Sequence, residues 1–215
     1  MAAVFLDEFN GSGALEGRTP DVGTAWGSLS DDSFGNISGG RLEGVTPFPE
    51  RFFSGYFKLP PSNFSAMTFR MSYQIAAGGS TTELRAASGG VNGQMFYTSN
   101  ALSPQLIMML TPLPDLASVA LAIGTHELII ALDFISDTME CYLDGANVLS
   151  GTIPGAAIEE DYRPTPGVPA EYNLFGSSDD SSNKVYGVRI EVTDDLYTPD
   201  TPGFWTQRVR CQEVI

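Results

Sequence analysis

An apolar side chain at every second position is the feature that most restricts what this chain can fold into. In AMTFRMSYQIA, Met67, Phe69, Met71, Tyr73 and Ile75 share one face while Thr68, Arg70, Ser72 and Gln74 share the other. That is the period of an antiparallel strand with one face packed and one wet. KVYGVRIEV repeats the pattern, with Tyr186, Val188, Ile190 and Val192 opposite Arg189 and Glu191. HELIIALDFI aligns Leu128, Ile130, Leu132 and Phe134, and MECYLDG aligns Met139, Cys141 and Leu143. A short SDT stretch separates these two runs and an Asp-Gly pair follows the second, a strong hairpin signal, so residues 126 to 153 read as a three-stranded meander. RFFSGYFKLP sets Phe53, Gly55, Phe57 and Leu59 against Phe52, Ser54, Tyr56 and Lys58, both sides largely aromatic, which predicts cover on both faces. TTELRAAS, GQMFYTS and PQLIMMLTP add further short strands. PDLASVALAIG alternates Val119, Leu121 and Ile123 but also opens with an Asp N-cap signal; it reads as a strand with a short helical turn at its start.

Turns supply the punctuation. Residues 16 to 44, EGRTPDVGTAWGSLSDDSFGNISGGRLEG, are rich in Gly, Asp, Ser and Pro around a lone Trp26, with apolar pieces too short for helices. A second loop rich in Pro and acid spans residues 155 to 173 and leads into LFGSSDDSSNK. About a dozen short strands with no β-α alternation predict an all-β, antiparallel two-sheet sandwich or jelly roll. One domain is expected over residues 1–195, with residues 196–215 as an extended, Pro-containing tail.

Charge narrows the partners. Eleven basic residues against 26 acidic ones leave a net charge of −15, which disfavours nucleic acid and anionic membranes. The start, MAAVFLDEFNG, lacks a basic region and a long apolar run, and SVALAIGTHELIIALDFI is interrupted by Gly124, His126, Glu127 and Asp133. No signal peptide or membrane span is therefore expected, and synthesis in a host cytoplasm is. Two cysteines, Cys141 and Cys211, are too few for a disulfide framework, and Cys141 reads as a buried free thiol.

The opening residues carry a resemblance. FLDEFNGSGALEGRTPDVGTAWG followed by ISGGRL has an Asp and a Phe on a first strand (Asp7, Phe9), a small Gly turn, then Thr19, Pro20, Asp21, Gly23 and Trp26, then Gly39 and Gly40. This resembles the entrance to concanavalin A-like (laminin-G-like) sandwich domains of the type found in bacteriophage structural proteins. HELIIALDFISDTMECYLDGANVLSGT, with its Tyr142, Asp144 and Gly145 turn, is similar to that family's back-sheet hairpin, and YNLFGSSDDSSNKVYGVRIEVTD to its closing loop and last strand. The resemblance spans about residues 4 to 195 and implies a jelly roll with Trp26 plugging one end of the core. Families of this fold include lectins, glycoside hydrolases and adhesion modules, so fold alone does not choose among them.

The chemistry is sparse. Hydrolases of this fold resemble one another in a Glu-x-Asp-x-Glu strand, which places alternate acids on one face. RIEVTDD offers Glu191 and Asp194 on opposite faces, and Asp144, which would share a face with Glu140 if the strand continued, is claimed by the turn, so no enzyme is expected. His126 is the sole histidine and reads as a polar boundary residue; no zinc spacing, serine elbow or phosphate loop is present. Two oxygen-rich loops make Asp31, Asp32, Asp179 and Asp180 candidate calcium ligands, ordinary turn acids being the bland alternative; no other cofactor is expected. Four aromatic residues assigned to loops, Tyr162, Tyr172, Tyr197 and Trp205, are the glycan-binding candidates, although packing onto the sandwich is the commoner role of such rings. The expectation is a non-enzymatic phage virion protein, a capsid decoration or fibre-like accessory, with a carbohydrate-binding lectin as the alternative and a glycoside hydrolase as the third reading. Its partners would be other virion proteins, reached through Trp205, Arg208 and Arg210 of the tail, further copies of itself in a trimer, and cell-surface polysaccharide.

Overall fold

The computed structural model describes residues 2–27, 35–43, 51–62, 64–75, 80–88, 91–99, 105–108, 117–120, 122, 124–152, 170–178 and 186–199. All regular structure among them is strand: β1 Ala3–Asp7, β2 Gly13–Ala14, β3 Asn36–Ile37, β4 Leu42–Glu43, β5 Arg51–Leu59, β6 Ala66–Ile75, β7 Ser80–Ser88, β8 Val91–Ser99, β9 Gln105–Met108, β10 Ala117–Ala120, β11 Gly124–Asp133, β12 Thr138–Leu143, β13 Ala146–Thr152, β14 Ala170–Ser178 and β15 Tyr186–Thr193. They form two antiparallel sheets. One, nine-stranded, runs β13-β12-β11-β6-β15-β4-β3-β2, with β1 also paired to β15; the other runs β10-β9-β8-β7-β14-β5. The fold is the all-β, two-sheet jelly roll expected from the alternation.

The meander forms as read: β11 pairs with β12, Leu128 opposite Leu143, and β12 with β13, Thr138 opposite Thr152. Its second turn is a two-residue turn with Asp144 at φ 50° and Gly145 at φ 81°, a backbone that Asp tolerates and Gly favours. Its first turn is closed by Asp133, whose carboxylate accepts the Ile135 and Ser136 amides and the Ser136 hydroxyl, bonds that hold it below the usual carboxylate range. Asp144 reaches back to the His126 ring and the Glu127 amide, while His126 Nε2 lies 2.8 Å from the Ala122 carbonyl. His126 thus stands at the start of β11 but is buried and held from both sides. The PDLASVALAIG stretch contributes the strand β10, with no helix among its described residues.

Core-facing residues match the alternation: Met67, Phe69 and Met71 on β6, Leu128, Ile130 and Leu132 on β11, Met139, Cys141 and Leu143 on β12, Ile190 and Val192 on β15. Burial pushes the Cys141 thiol far up, and Glu140 beside it adds to the shift. In the folded protein Cys141 is therefore expected to react with maleimide about a hundredfold or more slower than after denaturation. Peptide mapping separates it from Cys211, and prompt native labelling of Cys141 would contradict this packing.

The turn-rich opening laces the two sheets together. Val22 bridges Leu6 of β1, and five residues later Gly27 bridges Tyr56 of β5, so one segment binds an edge of each sheet. Trp26, between them, is buried against Phe5, Phe9 and Phe57 at centroid distances of 5.4, 6.0 and 5.4 Å. Its indole Nε1 donates to Asp7 Oδ2 at 2.8 Å. Asp7 is fully buried and also accepts Arg18 Nε at 2.9 Å, Arg18 Nη2 at 3.0 Å and the Phe9 amide at 2.7 Å. A buried carboxylate is tolerated only when its lone pairs are filled and a cation faces it, and both conditions hold here. The Phe9 backbone lies at φ 50°, a conformation uncommon for a bulky residue, and the Asp7 bond to its amide holds it there.

Candidate functional site

Of the four aromatic residues proposed for glycan contact, Tyr162 and Trp205 lie outside the described residues. Tyr172 does not belong to a loop. It falls within β14, opposite Phe57 of β5, fully buried, stacked at 5.5 Å on Phe57 and at 5.0 Å from Phe69. Pairing on both sides, with β5 and β7, draws residues 170 to 173 of the expected loop into the sheet, so Tyr172 serves the core and not a ligand. Tyr197 packs on the outer face of the nine-stranded sheet. Its amide donates to Thr68 Oγ1, its ring meets Tyr142 edge-on at 4.9 Å, and the Arg70 guanidinium lies 5.4 Å from its centre. Residues 195 to 197 are thereby fastened to β6, since Thr68 Oγ1 also donates to the Asp195 carbonyl at 2.6 Å.

That outer face is an ion-paired surface. Arg189 lies 3.3 Å from Glu191 and 3.7 Å from Glu8, and Arg70 lies 3.8 Å from Glu127. Burial raises the Glu127 carboxyl above its usual range, and the Arg70 charge opposes the shift. Tyr142, buried beside them, donates to Glu140, and burial together with that bond raises its phenol. Arg70 and Arg189 each face carboxylates, and Ile129 and Ala131 between the polar residues are buried. The arrangement covers the outer face of this sheet with paired charges.

The outer face of the six-stranded sheet differs. Phe57, Leu59 and Tyr172 point to the core, so the alternation puts Tyr56 and Lys58 of β5 on the opposite face, together with positions 171, 173 and 175 of β14. Register then fixes three rows across four strands. One holds Lys58, Glu171, Ala87 and Asn92; the next holds Tyr56, Asn173, Arg85 and Gln94; the third holds Ser54, Phe175, Glu83 and Tyr97. At the β5 edge the Tyr56 ring lies over Gly27, where a Cβ would come within 2.1 Å of Tyr56 Cζ, and Lys58 Nζ stands 5.4 Å from the ring centre. Only glycine at position 27 lets the ring lie there. Aromatic positions are thus interleaved with amide, guanidinium and carboxylate positions on one pleated surface.

Glu83 and Glu171 are the carboxylates of these rows. They stand on adjacent strands four residues out of register, about 14 Å apart at Cα by strand geometry. Asp31, Asp32, Asp179 and Asp180, the calcium candidates, lie outside the described residues, as do Arg208 and Arg210. Among the described residues no group of three or more His, Cys, Asp or Glu is placed to hold a metal ion.

No family model and no curated protein matches this sequence. Solved structures match the fold, a two-sheet sandwich of the kind that the resemblance to concanavalin A-like domains implies. The CBM2 module of the Lactobacillus casei BL23 phage J-1 evolved Dit superposes with a TM-score of 0.56 at 13% identity, over 91% of this chain and 97% of that one. A beta-1,3-glucanase from Mycobacterium marinum gives 0.56 at 12% identity over 90% of this chain and 99% of that one. The potassium-bound carbohydrate recognition domain of Emp46p gives 0.53 at 13% identity over 80% and 89%.

The rows across the six-stranded sheet are not visible in the sequence, which points instead to aromatic residues in loops. One signal was present: Tyr56 and Lys58 share a face in RFFSGYFKLP. Which residues would lie beside them depended on strand pairing with β14 and β7.

Proposed function

We propose that this chain is a carbohydrate-binding, non-hydrolytic module of a bacteriophage particle, and that the outer face of its six-stranded sheet holds the polysaccharide. The observation that carries the reading is the row Tyr56, Asn173, Arg85 and Gln94, flanked by the Phe175 and Tyr97 positions. Aromatic faces accept the apolar face of a sugar ring, and planar amides and guanidinium groups bond its paired hydroxyls. Few convergent polar groups on a largely preformed surface are what ligand sites usually offer. The sequence offers no Glu-x-Asp-x-Glu strand, and that supports binding without hydrolysis. The phage Dit module and the Emp46p carbohydrate recognition domain, among the structural neighbours, support the carbohydrate-binding and particle-borne aspects. Contact with other virion proteins through Trp205, Arg208 and Arg210 belongs to the same reading.

The test is a panel of bacterial surface polysaccharides presented to the intact chain, followed by Tyr56→Ala and Asn173→Ala. Each variant is expected to weaken binding about tenfold, equivalent to about 1.4 kcal/mol, with thermal unfolding within a few degrees of the parent. Absence of binding across the panel, or binding that survives both substitutions, would sink the proposal. Release of reducing sugar that Glu83→Gln abolishes would replace it with a hydrolase.

A further inference from the structure

Charge is unevenly spread over the sandwich. β8, β9 and β10 form one side of the six-stranded sheet, and β13 ends the nine-stranded sheet beside β10. None of these four strands contains an Asp, Glu, Lys or Arg, although 17% of the whole chain is charged. Between Arg85 and Glu127 only Asp115 carries charge, and between Asp144 and Glu159 there is none. The rest of the framework is charged, with acid in excess at the opening turns (Glu8, Glu16 and Asp21 against Arg18) and on the outer nine-stranded face (Glu127, Glu140 and Glu191 against Arg70 and Arg189), while Glu83 and Glu171 are balanced by Lys58 and Arg85 on the other sheet.

β13 and β10 are also terminal strands, each with one ladder edge unpaired among the described strands. Proteins usually guard such edges with Lys, Pro, a bulge or inward charges. In β13 the only such device is a bulge at Val148, where Cys141 pairs with Leu149 and Tyr142 with Asn147. Its residues are exposed except for the half-buried Val148 and Leu149.

We propose that this uncharged flank is the surface on which a second copy of the chain docks. Each copy carries −15, so contact through any acidic surface would bring like charges together and strip water from carboxylates. A cationic partner would find its complement on the acidic surfaces, whereas the uncharged flank fits another uncharged flank. The same patch meeting itself is an isologous contact with two-fold symmetry, which closes as a dimer and not as the trimer expected from the sequence. Because the contact buries no charge while the two copies repel, salt strengthens the association by screening that repulsion.

Sedimentation velocity on the full chain, over a range of micromolar concentrations at about 0.05 and 0.5 M salt, tests this directly. The expected result is a species of twice the 23.0 kDa chain mass that grows with salt. Ser150→Glu and Thr152→Glu, at exposed positions of β13, are each expected to raise the dimer dissociation constant about a hundredfold, and Ser12→Glu, beside β2 at the far end of the same sheet, to leave it unchanged. Hydrogen exchange of the β13 amides gives a second readout on the unmodified chain, with protection rising as concentration rises. A parent that stays monomeric, a trimer, or a dimer indifferent to both β13 variants with no concentration-dependent protection would overturn the proposal.

Discussion

Asp7→Ala is expected to lower the free energy of unfolding by about 3–5 kcal/mol, the range for removing one partner of a buried ion pair. Three donors lose their acceptor at once: the Arg18 guanidinium, the Trp26 indole and the Phe9 amide. The Arg18 side chain is 16% exposed and regains only part of its hydration, while Trp26 is 2% exposed and regains almost none. Asp7→Asn is expected to cost nearly as much, since an amide of the same shape turns a donor towards donors. Trp26→Phe keeps a ring against Phe5 and Phe57 and removes one bond to a charged acceptor, a loss of about 1.5–3 kcal/mol from that bond together with a smaller packing term. Chemical denaturation reads all three, and a double-mutant cycle between positions 7 and 26 should show strong coupling. A loss below about 1 kcal/mol for Asp7→Ala would mean that the opening turns are not anchored through this carboxylate.

The Asp7 network explains what was legible in the sequence and what was not. Asp7, Phe9 and Trp26 stood out as an opening pattern, and the structure gives them one physical purpose, an Asp whose oxygens gather the turn and the indole. Arg18, which supplies the compensating charge, looked like any turn residue because its role depends on a fold-back of eleven positions. Long alternating runs such as β6 and β11 were readable because burial of one face is a local property of the strand. Tyr172 was not, because its flanks are rich in turn formers and its strand is specified by β5 and β7, whose ladders it completes from far along the chain. The candidate binding rows are hidden for the same reason. Tyr56, Asn173 and Arg85 become neighbours only through sheet register, which no local window contains.

Phe57→Ala is the second change for which a large loss is expected, about 3–5 kcal/mol, as for other buried Phe truncations. Phe57 is where the two sheets and the opening segment meet. Its ring stacks on Phe5 of β1 at 4.2 Å, meets Trp26 at 5.4 Å and lies 5.5 Å from Tyr172, which in turn touches Phe69 of β6. Alanine would remove the shared member of three ring contacts. The surrounding rings have little room to collapse, because Gly55, two residues earlier on the same face, already meets Leu15 and Trp26, where a Cβ would sit 2.5 and 3.1 Å away. Filling that neighbouring space is no remedy: Gly55→Ala is itself expected to cost about 1–3 kcal/mol as an overpacked site. By contrast Ile135→Ser, at a hairpin tip where Ile135 is 80% exposed, should fall within about 0.5 kcal/mol of the parent. If Phe57→Ala and Ile135→Ser melted alike, the aromatic column would not be the contact that holds the sheets face to face, and the close fit of Gly55 against Trp26 would have no energetic consequence.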